Sequence, residues 1–582
     1  MKPKRIVCLV LAVLLTALWA APALGSGGAA DRVEELRVAI HTDENTLTPF
    51  TYVRGYPGLE VVRLIFDSLF TLDRENLPQP WMVEGDFEVD QEYKEYKMTL
   101  VPGQFWHDGQ PVNAEDVAFS FTYPLDQNST RWRRIAAQVE SVEVDDELNF
   151  TLRLKAGNPD FLSQALTDRP IIPKHIYEEV EDASAFSGTI GSGPYSLAEY
   201  REGQNYILQA AENYFLGEPR VTRIVMPIMA DTTTIFQALK AGSIHAATPN
   251  VAPELVSGFD AERDITVVAG PGLTTTLLQI NNEVYPLSLV DMRKALALAI
   301  DTEDLVDVLL LGYGDRGSLG FFHPRGVFGT ESLVPRRDLE KANQLLDGLG
   351  FSWQGDYRVD DRGQPLAFEL LVGSNNPLRI RTAELIAEQV KEAGIQLNTI
   401  SLEPNSLDDR VWPGFDVSKG RNYDLSMWGW SAPVQLRPDA LVQLAASDHS
   451  LGTLNIGGFS GSGFDTLVSR YTGSIDANVR LGLIADMQEE FAAQVPLVPL
   501  YYPQVIMAYR ADAYDGWVLQ QGNGIINKMS FLPGLSAAPG APGEEDRREP
   551  SEERNSLPFY LLALVLAAGA IVAARRKKGH AK

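Results

Sequence analysis

The chain has 582 residues, with 50 Lys and Arg against 77 Asp and Glu, a formal net charge of −27, and one cysteine. So acidic a balance excludes nucleic acid, whose phosphates need Lys and Arg to displace counterions, and disfavours adsorption to anionic lipid. One cysteine excludes a disulfide framework, and the length implies two or three cores rather than one.

In chain order, the first signal is Lys2, Lys4 and Arg5, then an uncharged apolar run over 6–20, then small residues over 21–26. This is the pattern of a secretory signal peptide, residues 1–25, and Cys8 falls inside it. Strand signals follow at 35–40, 96–100, 141–154, 206–209, 223–228 and 273–280. Asp231-Thr232-Thr233-Thr234 caps a helix over 235–240 that stops near Gly242. A helix spans 290–311 and ends at Gly312; two more, over 339–349 and 379–393, are closed by Gly350 and Gly394. Residues 395–400 alternate as a strand, and 499–507 form a late one. Helix, glycine, strand is the rhythm of an α/β layer. Residues 536–556 are Pro/Gly-rich and then charged, which reads as a flexible stalk. Residues 557–574 are apolar and uncharged, within the span of about 17–25 residues that crosses a bilayer. Arg575-Arg576-Lys577-Lys578 follows, so 557–574 is expected to be a transmembrane helix with a cytoplasmic basic tail, 575–582.

Several motifs invite a catalytic reading that their chemistry does not support. His107 and Asp108 are adjacent, so on an extended segment they point to opposite faces and form no proton relay. The expected structure there is a turn at Asp108-Gly109, with Asn113 capping a helix whose first turn carries Glu115 and Asp116. Gly191-Ser192-Gly193-Pro194-Tyr195 lacks the Gly-Lys-Ser/Thr of a phosphate loop and reads as a turn before a strand. The seven histidines are scattered, and neither a zinc motif nor a nucleophile elbow with a triad is visible, so no metal, cofactor or hydrolase is implied. The functional candidate is Tyr423-Asp424-Leu425-Ser426-Met427-Trp428-Gly429-Trp430-Ser431. Strand alternation puts Trp428 and Trp430 on one face, and Gly429 permits close backbone approach.

Other segments, taken together, resemble the family 5 extracellular solute-binding proteins, the dipeptide/oligopeptide-binding group of ABC importers. They include Leu64-Ile65-Phe66-Asp67-Ser68-Leu69-Phe70, Phe105-Trp106-His107-Asp108-Gly109-Gln110-Pro111-Val112-Asn113-Ala114-Glu115-Asp116-Val117, Ile172-Pro173-Lys174-His175, Gly191-Ser192-Gly193-Pro194-Tyr195, Asn213-Tyr214-Phe215-Leu216-Gly217, Arg293-Lys294-Ala295-Leu296-Ala297 and Pro499-Leu500-Tyr501-Tyr502, in that order. The resemblance implies an α/β, bilobal, periplasmic-binding-protein-like clamp of type II with an inserted subdomain. Lobe I would comprise 26–52, 184–267 and 495–535, the inserted subdomain 53–183, and lobe II 268–494. A peptide or other small solute would bind between the lobes. Closure would then present it to an ABC permease and its ATPase subunits, outside the cell and with the receptor as a monomer. The resemblance further implies ligand contacts at Phe50, Thr51, Tyr52, Trp428, Trp430 and Ser431, and at Gln279 and Asn281 at the end of an inter-lobe strand. It departs from the family's Asp-rich loop: here the loop reads Ala432-Pro433-Val434-Gln435-Leu436-Arg437-Pro438-Asp439, where Asp439 is the one acid to meet a ligand ammonium and Arg437 competes for it. An oligosaccharide stacked on Trp428 or Trp430 is the alternative ligand.

Overall fold

The computed structural model describes residues 32–45, 47–50, 58–127, 130–183 and 186–535. Among them no helix is long and apolar enough to cross a membrane. The expected signal peptide, stalk, transmembrane helix and basic tail lie outside the described residues, as do Thr51 and Tyr52.

Two large sheets organise the chain. The seven-stranded sheet runs, in spatial order, Ile265–Gly270, Val505–Arg510, Ala246–Ala247, Val33–Ala39, Val221–Pro227, Asn205–Ala210, Tyr195–Arg201. Alternation feeds two cores: Val505, Met507 and Tyr509 enter one face with Leu36 and Val38, while Ile506 and Ala508 enter the other with Ile235, Leu239 and Phe259. The six-stranded sheet runs Gly314–Arg316, Leu497–Pro503, Thr275–Ile280, Leu425–Trp430, Ala367–Gly373, Gln396–Leu402. It too is covered on both faces, which is why all six residues of Thr275–Ile280 are buried.

Between Val33–Ala39 and Tyr195–Arg201 the chain makes a separate four-stranded sheet, Glu88–Val89, Glu95–Thr99, Asn149–Leu154, Val139–Val144, with its own core around Tyr96, Met98, Trp106, Phe121, Phe150 and Leu152. The helix Ala114–Thr122 begins at Asn113, whose side chain accepts from Glu115 and Asp116 N–H while Asp116 accepts from Asn113 N–H. Asp116 also takes the Trp106 indole N–H at 3.1 Å. His107 accepts from Gly191 N–H through Nδ1 and meets the Gly193 carbonyl through Nε2 at 3.0 Å, while Asp108 bonds His175 instead. The histidine thus pins the Gly191–Gly193 turn, and His107 and Asp108 do not bond each other. Lys528 reaches back to Asp67, which also holds Trp81 Nε1 and the Tyr214 hydroxyl, and so fastens this unit to the seven-stranded one.

Only two short connections join the large sheets. One is residues 271–274, between Ile265–Gly270 and Thr275–Ile280; the other is Gln504, between Leu497–Pro503 and Val505–Arg510. They touch, because a Cβ at Gly272 would collide with the Pro503 carbonyl oxygen. Three expectations are corrected here. The late strand over 499–507 is two strands in different sheets. The crossings fall at 271–274 and 504 rather than at 267–268 and 494–495, so Leu497–Pro503 belongs with the second sheet. The helix over 290–311 is two helices, Val290–Ala299 and Thr302–Leu310, because Ile300 turns extended and Asp301 caps a new start by accepting from Glu303 and Asp304 N–H.

Candidate functional site

The ends of the two sheets that meet the crossings carry the candidate site. In the six-stranded sheet, Leu425–Trp430 pairs antiparallel with Thr275–Ile280, Trp430 opposite Thr275. Its parallel ladder with Ala367–Gly373 pairs Leu370 with Leu425 and Leu371 with Ser426; residues 427–430 leave that edge without a strand partner. Trp428 and Trp430 share a face, ring centroids 6.4 Å apart, and Trp412 stands 5.9 Å from Trp430 with Phe415 beyond it. Phe415 is 64% exposed and Trp430 8%, so the wall runs from solvent into the body, with Trp428 half-buried. The indole N–H groups of Trp412, Trp428 and Trp430 are enclosed, and none has a protein acceptor. Buried donors are normally paired, so a wall with three unpaired ones suits a ligand rich in carbonyl or hydroxyl acceptors.

On the other face of the same strand lies Arg379, in the first turn of the helix Pro377–Lys391. Its guanidinium occupies the space a side chain at Gly429 would need. Burial pushes it below the usual arginine range, with only the Tyr501 phenol opposing the shift. The seven-stranded sheet brings His41 and Thr248 to its facing end, just past the parallel pair Ala39 and Ala247. His41 Nδ1 and Thr248 Oγ1 are both enclosed without a partner.

The sequence candidates fare unevenly. Phe50 is in the core, against Tyr123 and Tyr177 at 5.7 Å each and under the Arg169 guanidinium. Ser431 is exposed at the start of the short helix Ala432–Gln435 and caps nothing. Asp439 is fully engaged: Arg437 donates at 3.1 and 2.9 Å, Gln443 at 2.6 Å and Gln164 at 3.3 Å. These donors reach both carboxylate oxygens, with Arg437 in the competing position the sequence indicates. Gln279 and Asn281 are both buried. They sit at the end of Thr275–Ile280 away from the crossing, where Asn281 donates to Tyr423 O at 2.7 Å and accepts from Glu283 N–H, fixing local backbone. The sequence reading missed Arg379, Trp412, Phe415, His41 and Thr248. Only Arg379 carried a signal: a cation just inside a helix start, where the macrodipole favours an anion.

The unit built on the four-stranded sheet also touches the six-stranded one. Asp160 pairs with Arg480 and accepts from the Tyr471 hydroxyl at 3.2 Å, and Gln164 reaches Asp439. Burial raises the Asp160 pKa, Arg480 opposes this, and nearby Asp439 adds to the rise.

Two sheet-built units, joined by two adjoining connections and lined at their facing ends by aromatic and unpaired polar groups, define a clamp-type solute-binding protein. The chain belongs to the bacterial extracellular solute-binding proteins of family 5: the model for that family's middle region matches residues 78–451. It is 26% identical over 482 residues to the oligopeptide-binding protein AppA of Bacillus subtilis, covering 80% of this chain and 86% of AppA. It is 23% identical over 437 residues to the nickel-binding periplasmic protein of Escherichia coli, covering 73% and 83%. The fold is that of the ABC transporter substrate-binding protein CtaP from Listeria monocytogenes, with a TM-score of 0.75 at 22% identity, covering 86% of this chain and 99% of CtaP. At the family level these are solute-binding proteins and not enzymes. Among the described residues no group of three His, Cys, Asp or Glu could hold a metal ion.

Proposed function

We propose that this chain is a membrane-anchored extracellular receptor that closes over a peptide and delivers it to an ABC permease and its ATPase subunits. The observation that carries the reading is the meeting of the two sheets. They are joined only at 271–274 and Gln504, the unit built on the four-stranded sheet reaches the six-stranded one through Asp160 and Arg480, and the sheet ends beside the crossings carry Trp428, Trp430, Arg379, His41 and Thr248. A pair of adjoining crossings is what a hinge requires, and a solute can shift the population only if it contacts both units in the closed state. The unpaired edge at 427–430 supports a peptide bound as an added strand, with main-chain bonds supplying affinity and the aromatic wall receiving side chains. The likeness to AppA, over most of both chains, supports the same choice.

Export by residues 1–25 and retention by 557–574, with 575–582 inside, complete the proposal. Protease treatment of intact cells would degrade the body and leave a short C-terminal fragment. The binding test is small-angle scattering and thermal unfolding of the full-length protein with a pool of random tetra- to hexapeptides, alongside an oligosaccharide pool. Compaction and a raised Tm with peptides support the reading. A response to sugars alone reassigns the ligand, and no response to either refutes solute capture of these classes.

A further inference from the structure

Residues 317–329, between the edge strand Gly314–Arg316 and the single turn Glu331–Leu333, form a loop whose centre is enclosed: Ser318, Phe321 and His323 are fully buried. Phe321 holds a φ of +75°, a conformation that costs an aromatic residue free energy and persists only where its surroundings impose it. Two side chains meet its carbonyl, the Tyr502 hydroxyl donating at 2.6 Å and Gln435 Nε2 at 3.2 Å. Tyr502 lies in Leu497–Pro503, the strand that runs into the Gln504 crossing. Gln435 is itself buried, and it clamps the loop to the aromatic wall. Its Oε1 accepts from His323 N–H at 2.7 Å, and its Nε2 also donates to Thr275 Oγ1 at 2.8 Å, Thr275 being the residue opposite Trp430.

The far end of the loop reaches the other unit. His323 Nδ1 accepts from Arg325 N–H at 3.1 Å, Asp315 holds the Arg325 guanidinium at 2.7 Å, and the Arg325 carbonyl accepts from Gln521 Nε2 at 3.2 Å. Gln521 is anchored on the opposite side of the crossings. Its N–H donates to Arg74 O and its carbonyl accepts from Asn76 Nδ2, both at 2.9 Å, while Gly522 N–H donates to Pro271 O in the 271–274 crossing at 3.0 Å. Resting on the receptor reading above, we propose that Gln435 and Gln521 are positioning residues that couple solute capture to the hinge: Gln435 fixes the loop to the wall, and Gln521 grips the same loop from the other unit in the closed receptor. The bond from Gln521 belongs to the closed form because it is made in the arrangement in which Asp160 also meets Arg480. Coupling through contacts needs an element with two arrangements that both ends bias, and the strained turn at Phe321 is that element. A solute on Trp430 loads Thr275 and Gln435 at one end, and hinge rotation loads the Arg325 carbonyl at the other.

The test uses the full-length protein with dyes on introduced cysteines, one on each unit, and a pool of random tetra- to hexapeptides. Energy transfer is measured for Gln435→Met, Gln521→Leu and the double variant, with and without the pool. Gln521→Leu should lower the closed-to-open ratio by roughly 2- to 10-fold, the range of one neutral hydrogen bond. Gln435→Met should lower it too, and the double variant should fall no further than the lower single one, because a loop released from the wall transmits nothing through Gln521. Two merely structural residues would give effects that multiply; that result overturns the proposal, and so does unchanged transfer in Gln521→Leu. Thr275→Val removes only one end of the clamp and keeps the shape of a buried side chain. It takes the place of Gln435→Met in the cycle if that variant does not fold, with the same expected outcome. Failure of peptide capture is distinguishable, because the pool then changes transfer in no variant, the wild type included, while the cycle without peptide still reports whether Gln435 and Gln521 are coupled.

Discussion

Replacing Arg480 by Gln should open the receptor in the absence of solute. Arg480 lies on the helix Ala477–Gln494 with its guanidinium 3.7 Å from the Tyr471 ring centroid, donating to Tyr471 O at 2.9 Å and Ser474 O at 3.2 Å. Its remaining partner is Asp160, on the unit built on the four-stranded sheet. The two side chains are 10% and 14% exposed, so this is not a surface pair to be discounted. Arg480→Gln strands Asp160 in a shielded site close to Asp439. Losing one partner of such a pair costs about 3 kcal/mol, the lower end because water is not wholly excluded, which lowers the closed-to-open ratio by roughly two orders of magnitude. Opening hydrates the carboxylate and removes the cost. Adding Asp160→Asn removes the stranded charge, so the double variant should recover most of the closure. The direction with pH follows from linkage. Asp160 has a pKa raised in the closed form and an ordinary one when hydrated, so closing takes up protons, and closure of Arg480→Gln strengthens as pH falls through the raised value. Transfer efficiency between dyes on introduced cysteines, one on each unit, reads the angle. Tm does not substitute for it, because the lost bonds to Tyr471 and Ser474 lower stability in both variants. Unchanged transfer in Arg480→Gln, or a double variant as open as the single one, refutes the account.

Three further outcomes are expected. Trp428→Ala should weaken binding of the peptide pool by roughly 10- to 100-fold, as for an aromatic anchor, and because Trp428 is half-buried Tm should move little; titration calorimetry checks it. Lys528→Met should destabilise by about 3–5 kcal/mol, since Asp67 would keep only Trp81 Nε1 at 2.9 Å and the Tyr214 hydroxyl at 3.1 Å in a fully buried site; a urea transition no earlier than the wild type's would contradict this. Glu60, whose Oε2 is enclosed without a partner, has its pKa pushed up to about 8 by burial, partly offset by Arg63. A raised carboxyl favours the fold most below its unfolded value of 4.5 and loses that contribution as pH rises to about 8, so Glu60→Gln should raise Tm at pH 8 and leave it unchanged near pH 4.5.

Local chemistry was legible in the sequence, and long-range assignments were not. Asn113 with Asp116, the Asp108-Gly109 turn and the Asp231 cap could be read because each involves residues within four positions of one another. Asp301-Thr302-Glu303-Asp304 held the same kind of cap, and apolar periodicity running through Ile300 hid it. Leu497–Pro503 and Val505–Arg510 are apolar on both faces because each is sandwiched, so nothing in their pattern marks the change of sheet at Gln504. Trp428 and Trp430 were correctly placed on one face, yet the more buried is Trp430, which Trp412 covers from a separate turn. Arg437 as a competitor for Asp439 was legible because it stands two positions away, whereas Gln164 comes from elsewhere in the chain. Asp160 and Arg480 stand 320 positions apart, and no spacing rule joins them.

Unpaired polar atoms do not by themselves mark a site here: Tyr177, Trp517 and Gln488 carry them too, each packed within a single unit. What distinguishes Trp428, Trp430 and Arg379 is that one short strand organises all three. Alternation sends the two indoles to one face, and the missing Cβ of Gly429 admits the cation on the other. The free edge at 427–430 lies between them. A strand serving stability alone would fill position 429 and pair that edge, gaining packing and ladder bonds together. That this strand forgoes both, beside the crossings through which any closing motion must pass, is the physical reason to propose ligand recognition there.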